Sequence, residues 1–418
     1  MMTYKKILIA LIILFSSLLG GGDGLLESTL TRALVDRNFE NVAVTTNDKE
    51  VIITYENRIY RSEIEAIGII FAVVNDLSVK SFANLVLIPQ NRKIPIAVIS
   101  VMCGDLHAWL EKEIKGEEFS DKINVSFDTD EYSRLLKGIK RVNNSSYQFD
   151  YVIAPKFAAE LDEYGDPVKL QIGLAPRLET SFGKGSLIKS EYIIPFVHRD
   201  FKVGDPVDPF RPGMININQT IRFPDNLFFS TTLGIFTQNR FGIDLEMRKY
   251  LFNGIMSLGS NFGFTGGARF YNKKYETSIL EDFTWFLDAE ARIPQYNMSI
   301  AASYGQYIYK DKGFRIDISR QFGEVDIGFF FTSTSNELLG KLKGGGFNFS
   351  VPIFPSEYAE PGLARVRTDD YFSWEYDYNN FVYFHQKRYN TGNNIKSFIK
   401  RLQPDYIKRE FSKYNFDK

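Results

Sequence analysis

Cysteine is nearly absent. A single residue, Cys103, stands in a chain of 418, so no intrachain disulfide can form. The fold must hold by packing and hydrogen bonding, and Cys103 reads as a small residue in an α/β core. Histidine is almost as scarce: His107, His198 and His385 are scattered, with none at metal-ligand spacing. The sequence therefore implies no metal and no other cofactor. No G-x-S-x-G elbow occurs, and Ser190–Tyr192 near His198 is the one weak local pairing that a hydrolase could use. Charge of one sign is also missing. Lys and Arg number 50 against 51 Asp and Glu, for a net charge of −1, so no global basic field points to nucleic acid. Mean hydropathy is −0.19, which leaves no room for a bundle of membrane-spanning helices.

Long apolar runs are confined to the start of the chain. Ile7 to Leu19 follows Lys5 and Lys6 and precedes Gly20, Gly21 and Gly22. About 13 apolar residues are too few to span a bilayer comfortably, and a basic, apolar, then small-residue order reads as a secretory signal peptide over residues 1–24. No cysteine follows it, which excludes lipid attachment there. The remaining chain is then exported.

Aromatics, by contrast, are abundant: 15% of residues, with 37 Phe and 23 Tyr. They fall in segments of period two. Phe283, Trp285, Leu287, Ala289, Ala291 and Ile293 alternate with Thr284, Phe286, Asp288, Glu290 and Arg292. Phe314, Ile316 and Ile318 alternate with Arg315, Asp317 and Ser319. Val325, Ile327, Phe329 and Phe331 alternate with Asp326, Gly328, Phe330 and Thr332. Successive strand side chains point to opposite faces, so each segment is a strand with one apolar and one charged face. A soluble sandwich would bury the apolar faces. A transmembrane barrel turns them to lipid and lines its lumen with the polar ones.

Strand patterns of this kind run from Tyr147 to about residue 388. Their number predicts a transmembrane antiparallel β-barrel of about 12–14 strands, over residues 145–390. Short turns at Pro224–Asn226 and Gln238–Arg240, with longer connections at Phe201–Gly213 and Ser333–Lys343, predict an asymmetric barrel. Tyr304, Tyr307, Tyr309, Trp374, Tyr376 and Tyr378 suit interfacial aromatic belts. Gly266-Gly267 and Gly344–Gly346 precede strands instead of opening helices, so they read as turns or close strand crossings, not phosphate cradles.

Residues 25–115 differ. A helix over Leu25–Phe39, strands over Asn41–Thr46 and Val51–Tyr55, a helix over Ile64–Leu77, and strands near Leu85–Ile88 and Ile94–Val101 repeat one helix–strand–strand order. The repeat is about 55 residues long, and a helix over Asp105–Lys115 closes it. This small α/β module belongs in the periplasm of an exported protein. Residues 116–144 read as a linker, with some helix near Tyr132–Ile139. Residues 391–418 form a basic tail, read as a solvated helix or one that lies on lipid or a partner.

The polar strand faces hold the candidate site. Asp244, Glu246, Arg248, Asp288, Glu290, Arg292, Arg315, Asp317 and Asp326 are expected to line the lumen, where Asn216, Asn218 and Phe286 would suit a carbohydrate. Two readings stay open: a salt-bridge ladder that fills a narrow barrel, or a track for a hydrophilic polymer.

Tyr304-Gly305-Gln306-Tyr307-Ile308, Asp311-Lys312-Gly313 and Ile318-Ser319-Arg320-Gln321-Phe322-Gly323 are followed by the strand Val325 to Phe331. Gly344, Gly345, Gly346, Phe347 and Ser350-Val351-Pro352 then form a glycine-rich turn and strand, and Phe39-Glu40-Asn41-Val42, Tyr55-Glu56-Asn57-Arg58 and Tyr60-Arg61 stand upstream. These runs resemble the YjbH family, the upstream ones echoing its periplasmic segment. The resemblance covers about residues 28–390 and is to the C-terminal part of longer members, which carry a further strand-rich region ahead of the α/β module. It implies an outer-membrane protein of a Gram-negative bacterium, involved in exopolysaccharide or capsule-type polysaccharide production. The implied reading is a non-enzymatic barrel in export or assembly. Its partners would be outer-membrane lipid, a polysaccharide, and periplasmic export or assembly proteins met through residues 25–115. A general diffusion porin and a barrel-embedded hydrolase are the alternatives.

Overall fold

The computed structural model describes residues 22–77, 79, 82–161, 168–199, 207–353, 355–358, 364–379 and 386–414. The expected leader lies outside these residues up to position 21. The chain divides into two compact units. The first holds the described residues up to Ser145, with 356–358 and those from Phe398 onward; the second holds the rest.

In the first unit, α1 (Gly22–Val35), β1 (Glu40–Thr46) and β2 (Glu50–Glu56) are followed by α2 (Glu63–Asp76), β3 (Asn84–Asn91), β4 (Ile94–Pro95) and β5 (Val98–Met102). Buried Ile64, Ile67, Phe71 and Val74 form one stripe of α2, at the three- to four-residue spacing that a helix needs to bury a face. The α2 crossover lets β2 and β3 pair in parallel, Val51 beside Leu85, while β1–β2 and β3–β5 pair antiparallel. α3 (Cys103–Leu110) follows β5 directly. Burial pushes the Cys103 thiol up to about 11, which makes it a packing residue instead of a nucleophile.

Residues 116–144 are not a linker. They contain α4 (Gly116–Lys122), β6 (Asn124–Ser126) and α5 (Asp130–Leu135). β6 pairs with β5, Val125 beside Ile99, and Phe119, Val125, Phe127 and Leu136 are buried. Elements this short cannot show a period, so pattern reading passes over them. The tail also departs from expectation. In its helix Pro404–Phe411, Tyr406, Ile407 and Phe411 are buried. The Phe411 ring lies 5.6 Å from Phe71 and 5.8 Å from Trp109. Ile407 and Phe411 stand four residues apart, on one helix face, and that face completes a core instead of meeting solvent or lipid.

The second unit is an antiparallel meander. Its strands are β7 (Phe149–Leu161), β8 (Val168–Thr180), β9 (Ser186–Arg199), β10 (Arg211–Phe223), β11 (Leu227–Phe236), β12 (Arg240–Leu251) and β13 (Met256–Tyr271). They continue with β14 (Lys274–Thr277), β15 (Asp282–Ile293), β16 (Met298–Gln306), β17 (Lys312–Phe322), β18 (Val325–Asn336), β19 (Gly340–Pro352), β20 (Ala364–Thr368) and β21 (Tyr371–Asn379). Each pairs with the next in sequence, except that β14 is a side hairpin on β13 and β20 leaves the order. Tight turns follow from residue type. Asn272 and Lys273 both take positive φ, as the two-residue turn between β13 and β14 requires, and Asp225, Asn226, Gln238 and Asn239 take positive φ within three-residue connections.

Local details correct the sequence reading. The connection expected over Ser333–Lys343 shrinks to residues 337–339, because β18 and β19 run almost into each other. Gly266-Gly267 and Gly344–Gly346 lie inside β13 and β19; Gly346 is there because a Cβ would strike the Tyr376 carbonyl on the neighbouring strand. Tyr307 is buried instead of interfacial. The strand expected over 380–388 is absent from its described part, 386–388, where the chain leaves the sheet.

β20 and β21 decide how the sheet ends. β20 pairs in parallel with β7, Ala364 beside Phe149. Two residues later, β21 pairs antiparallel with β19, Tyr371 beside Pro352. The two ends of the strand order are thus successive segments of one stretch, Thr368 and Tyr371 being at most ~11 Å apart. Laid flat, strands at ~4.8 Å spacing would hold those ends roughly 60 Å apart. The sheet therefore rolls until its ends meet, and Phe157 of β7 packs on Trp374 of β21 at 5.6 Å between ring centres.

Candidate functional site

The rolled sheet has inverted polarity. One row of lateral neighbours reads Arg248, Gly259, Asp288, Ser303, Arg315 and Thr332. The next row, one residue along, reads Met247, Ser260, Leu287, Tyr304 and Phe314. The polar row faces inward: Arg248 is 3% exposed, against 53% for Leu287 and 65% for Phe329. A soluble fold does the reverse.

Residues 386–397 cross this inward face. Gln386 accepts from the Thr332 hydroxyl at 2.6 Å. The Arg388 guanidinium lies 3.7 Å over the Phe286 ring and donates to Ser303 at 2.9 Å. Tyr389 stacks on Phe236 at 5.2 Å and donates its hydroxyl to Asp244 Oδ2 at 2.8 Å. Asn216 donates to the Thr391 carbonyl at 2.9 Å, and Lys189 to the Gly392 carbonyl at 2.8 Å. The Ile395 amide donates to Glu246 at 3.1 Å. Lys396 then sits between Asp288 at 3.2 Å and Glu290 at 2.9 Å.

Between Gly392 and Lys396 the strap passes from β9 to β15, the Lys189 and Lys396 side chains reaching across part of that distance.

The wall is shaped for these contacts. Gly263 lies between Asp244 and Thr284 in register, and a Cβ there would collide with the Tyr389 hydroxyl. Gly259 lies between Arg248 and Asp288, and a Cβ there would strike both. Without side chains at these positions, Arg248 reaches across β13 to hold Asp288 by two contacts of 2.8 Å.

The expected residues divide into two groups. Asp244, Glu246, Asp288, Glu290, Asn216 and Phe286 all touch the strap, and Arg248 bears on it through Asp288. Asn218 is instead tied into the wall by Ser230 at 2.8 Å and Thr232 at 2.9 Å. Arg315 stands apart with Asp317 at 2.6 Å, Glu375 at 2.7 Å and the Phe330 ring at 3.8 Å. Arg292 is half-buried beside Ser299 in register, and Asp326 is buried on the inward side of β18. The ion-pair ladder and the polar track therefore share one wall.

Sequence reasoning missed Arg388, Tyr389 and Lys396, and Asn393, which donates to Asn216 Oδ1 at 3.2 Å. The available signal was a stretch, QKRYNTGNNIKS, where alternation stops and Asn and Gly accumulate directly after the last strand. Ser190 and His198 are no catalytic pair: they lie eight positions apart on β9, roughly 25 Å along a strand. His385 lies outside the described residues, and His107 bonds Asn75 at 3.0 Å. Among the described residues no group of three metal-ligating side chains occurs.

Residues 21–201 match the family model for YjbH, described as an exopolysaccharide biosynthesis protein. The matched segment thus ends before the motifs at 304–352. No curated protein matches the chain. Among solved structures, a loop L8 deletion mutant of OmpT, an outer membrane protein of Vibrio cholerae, is similar at 9% identity. It covers 56% of this chain and 92% of that one, with a TM-score of 0.31. In-vitro folded OmpT of the same organism is similar at 8% identity, over 56% and 86%, with a TM-score of 0.30.

Proposed function

We propose that the chain is a non-enzymatic outer-membrane β-barrel that takes part in the export or assembly of an exopolysaccharide or capsule-type polysaccharide. The observation that carries the barrel is the inverted polarity of a sheet whose two ends are joined by consecutive residues. Apolar side chains on its outward face would be costly in water and are suited to lipid. Inward charges are paired, as groups removed from bulk water must be. Counting β20 and β21 as one strand and leaving out the side hairpin gives an odd ring, in which first and last strands run parallel, as β20 and β7 do.

The turns bear on orientation. At the end where the chain enters the sheet, residues 181–185, 224–226, 252–255, 294–297 and 323–324 make short connections, and the longer link from β19 to β20 lies at the same end. The other end carries the link from β9 to β10 and the extra hairpin strand β14, beside the short turns at residues 237–239 and 337–339. Short turns face the periplasm in outer-membrane barrels, which supports a periplasmic reading of the entry point at Phe149 and of the α/β module that leads to it. That module is the docking element for export or assembly proteins. The family match supplies the polysaccharide, since its model is described by exopolysaccharide biosynthesis.

The test is removal of the chain from the cell that makes it. Surface polysaccharide should fall while cytoplasmic synthesis of its repeat units continues, and the protein should sediment with outer membranes. Unchanged polysaccharide output, or recovery in the soluble periplasmic fraction, would defeat the reading. A general porin is disfavoured by the strap, which occupies the path that diffusing solutes would use.

A further inference from the structure

We propose that residues 386–397 are a displaceable plug, and that the wall they cover binds glycans rich in hydroxyl and amino donors and free of acidic groups. The inference rests on the barrel reading above and names the ligand class of that same site.

The strap is seated on the wall without joining it. Among the described residues it forms no strand, and its backbone-to-backbone bonds to the wall are those from the Thr237 amide to Asn390 and from the Ile308 amide to Lys387. The other contacts described above are point contacts through a side chain. A sheet strand would be held by a cooperative ladder; a plug held by separate bonds can be exchanged for a ligand offering the same groups.

Those groups define the ligand. Along β12 and β15 the wall presents acceptors, Asp244, Glu246, Asp288 and Glu290, with the guanidinium of Arg248 on Asp288 and that of Arg292 near Glu290. The strap answers with donors, namely the Tyr389 hydroxyl, the Ile395 amide and the Lys396 ammonium. Sugar hydroxyls can replace the first two, and an unacetylated amino sugar can replace the ammonium between Asp288 and Glu290. On the opposite wall, Lys189 and Asn216 donate to strap carbonyls, a role that sugar oxygens also accept. A polyanion would meet four carboxylates clustered on β12 and β15, more than the cations beside them, Arg248 and Arg292. Phe286 and Phe236, now covered by Arg388 and Tyr389, would be uncovered for stacking on sugar rings.

The strap runs on into Phe398 and the helix Pro404–Phe411, whose apolar residues belong to the first unit's core. Truncation would therefore damage that core, and point changes are the better probe. The full chain is reconstituted in planar bilayers as wild type, as Tyr389→Ala/Lys396→Ala, and as Gly263→Ala, which expels the Tyr389 hydroxyl from the wall side. Insertion is checked first by the heat-dependent gel shift of each protein. Wild type should conduct weakly. Both variants should conduct on the order of tenfold more, with cation selectivity in a KCl gradient, because lumen charge sets selectivity in pores. A glucosamine hexamer should interrupt the variant current, and a galacturonate hexamer should not.

Inserted wild type and variants with equal conductance would overturn the plug. Anion selectivity, or block by galacturonate in preference to glucosamine, would overturn the ligand class. Failure of every form to insert would instead bring down the barrel reading, and the plug with it.

Discussion

Arg365 and Asp150 meet at 2.6 Å with both side chains buried, across 215 residues of sequence. They are lateral neighbours in the parallel pairing of β20 with β7, so this ion pair holds the last turn of the rolled sheet against the first. Removing one partner strands a buried charge, which costs far more than removing both. Arg365→Ala should therefore destabilise the protein by about 3 kcal/mol. Arg365→Ala/Asp150→Ala should recover part of that loss. Urea unfolding in lipid vesicles, followed by the gel shift of the folded form, measures both.

Phe329 stands midway along β18 and points outward. If that face meets lipid, Phe329→Arg should cost about 2–4 kcal/mol, and less for the same change near a strand end. A water-facing position would tolerate arginine at almost no cost. The depth dependence of unfolding free energy across Phe329→Arg and Phe322→Arg separates the two environments.

Phe411 is buried among Phe71, Trp109 and Phe119. Phe411→Ala should destabilise the first unit by about 3–5 kcal/mol while leaving the sheet of the second unit intact. Trp109, stacked on Phe119 at 4.0 Å, is the reporter: its fluorescence should move to longer wavelength as the cluster opens. An unchanged spectrum and midpoint would mean that the tail does not complete this core.

Glu63 accepts from the Tyr55 hydroxyl at 2.7 Å and from Asn57 at 3.2 Å. Burial nevertheless outweighs these bonds and holds its carboxyl above the ordinary value. A folded-state value raised above the unfolded one means that the folded form binds the proton more tightly. Its contribution is full below the unfolded value and is lost as pH rises through the folded one. The first unit should lose stability over that window, and Glu63→Gln should remove this part of the loss. Denaturation curves at a series of pH values, wild type against variant, isolate the effect from other carboxylates.

Periodicity alone determined much of this protein. Alternation along β15, β17 and β18 assigned each side chain to a face before any contact was known, because a strand has period two and no freedom to do otherwise. It also brought Asp244, Glu246, Arg248, Asp288 and Glu290 together on one side of the sheet. Long amphipathic elements such as α2 were legible for the same reason.

Tertiary structure decided what no period could carry. α4 and β6 are too short to show a pattern, so a folded part of the first unit looked like a linker. The parallel pairing of β20 with β7 joins two edges separated by more than 200 residues, and each edge carries the same local pattern as an interior strand. The strap was least legible of all. Its residues are polar because the wall around them is polar, and sequence alone cannot distinguish a segment surrounded by a charged wall from one surrounded by water. Only the rolled sheet places Tyr389 over Gly263 and Lys396 between Asp288 and Glu290.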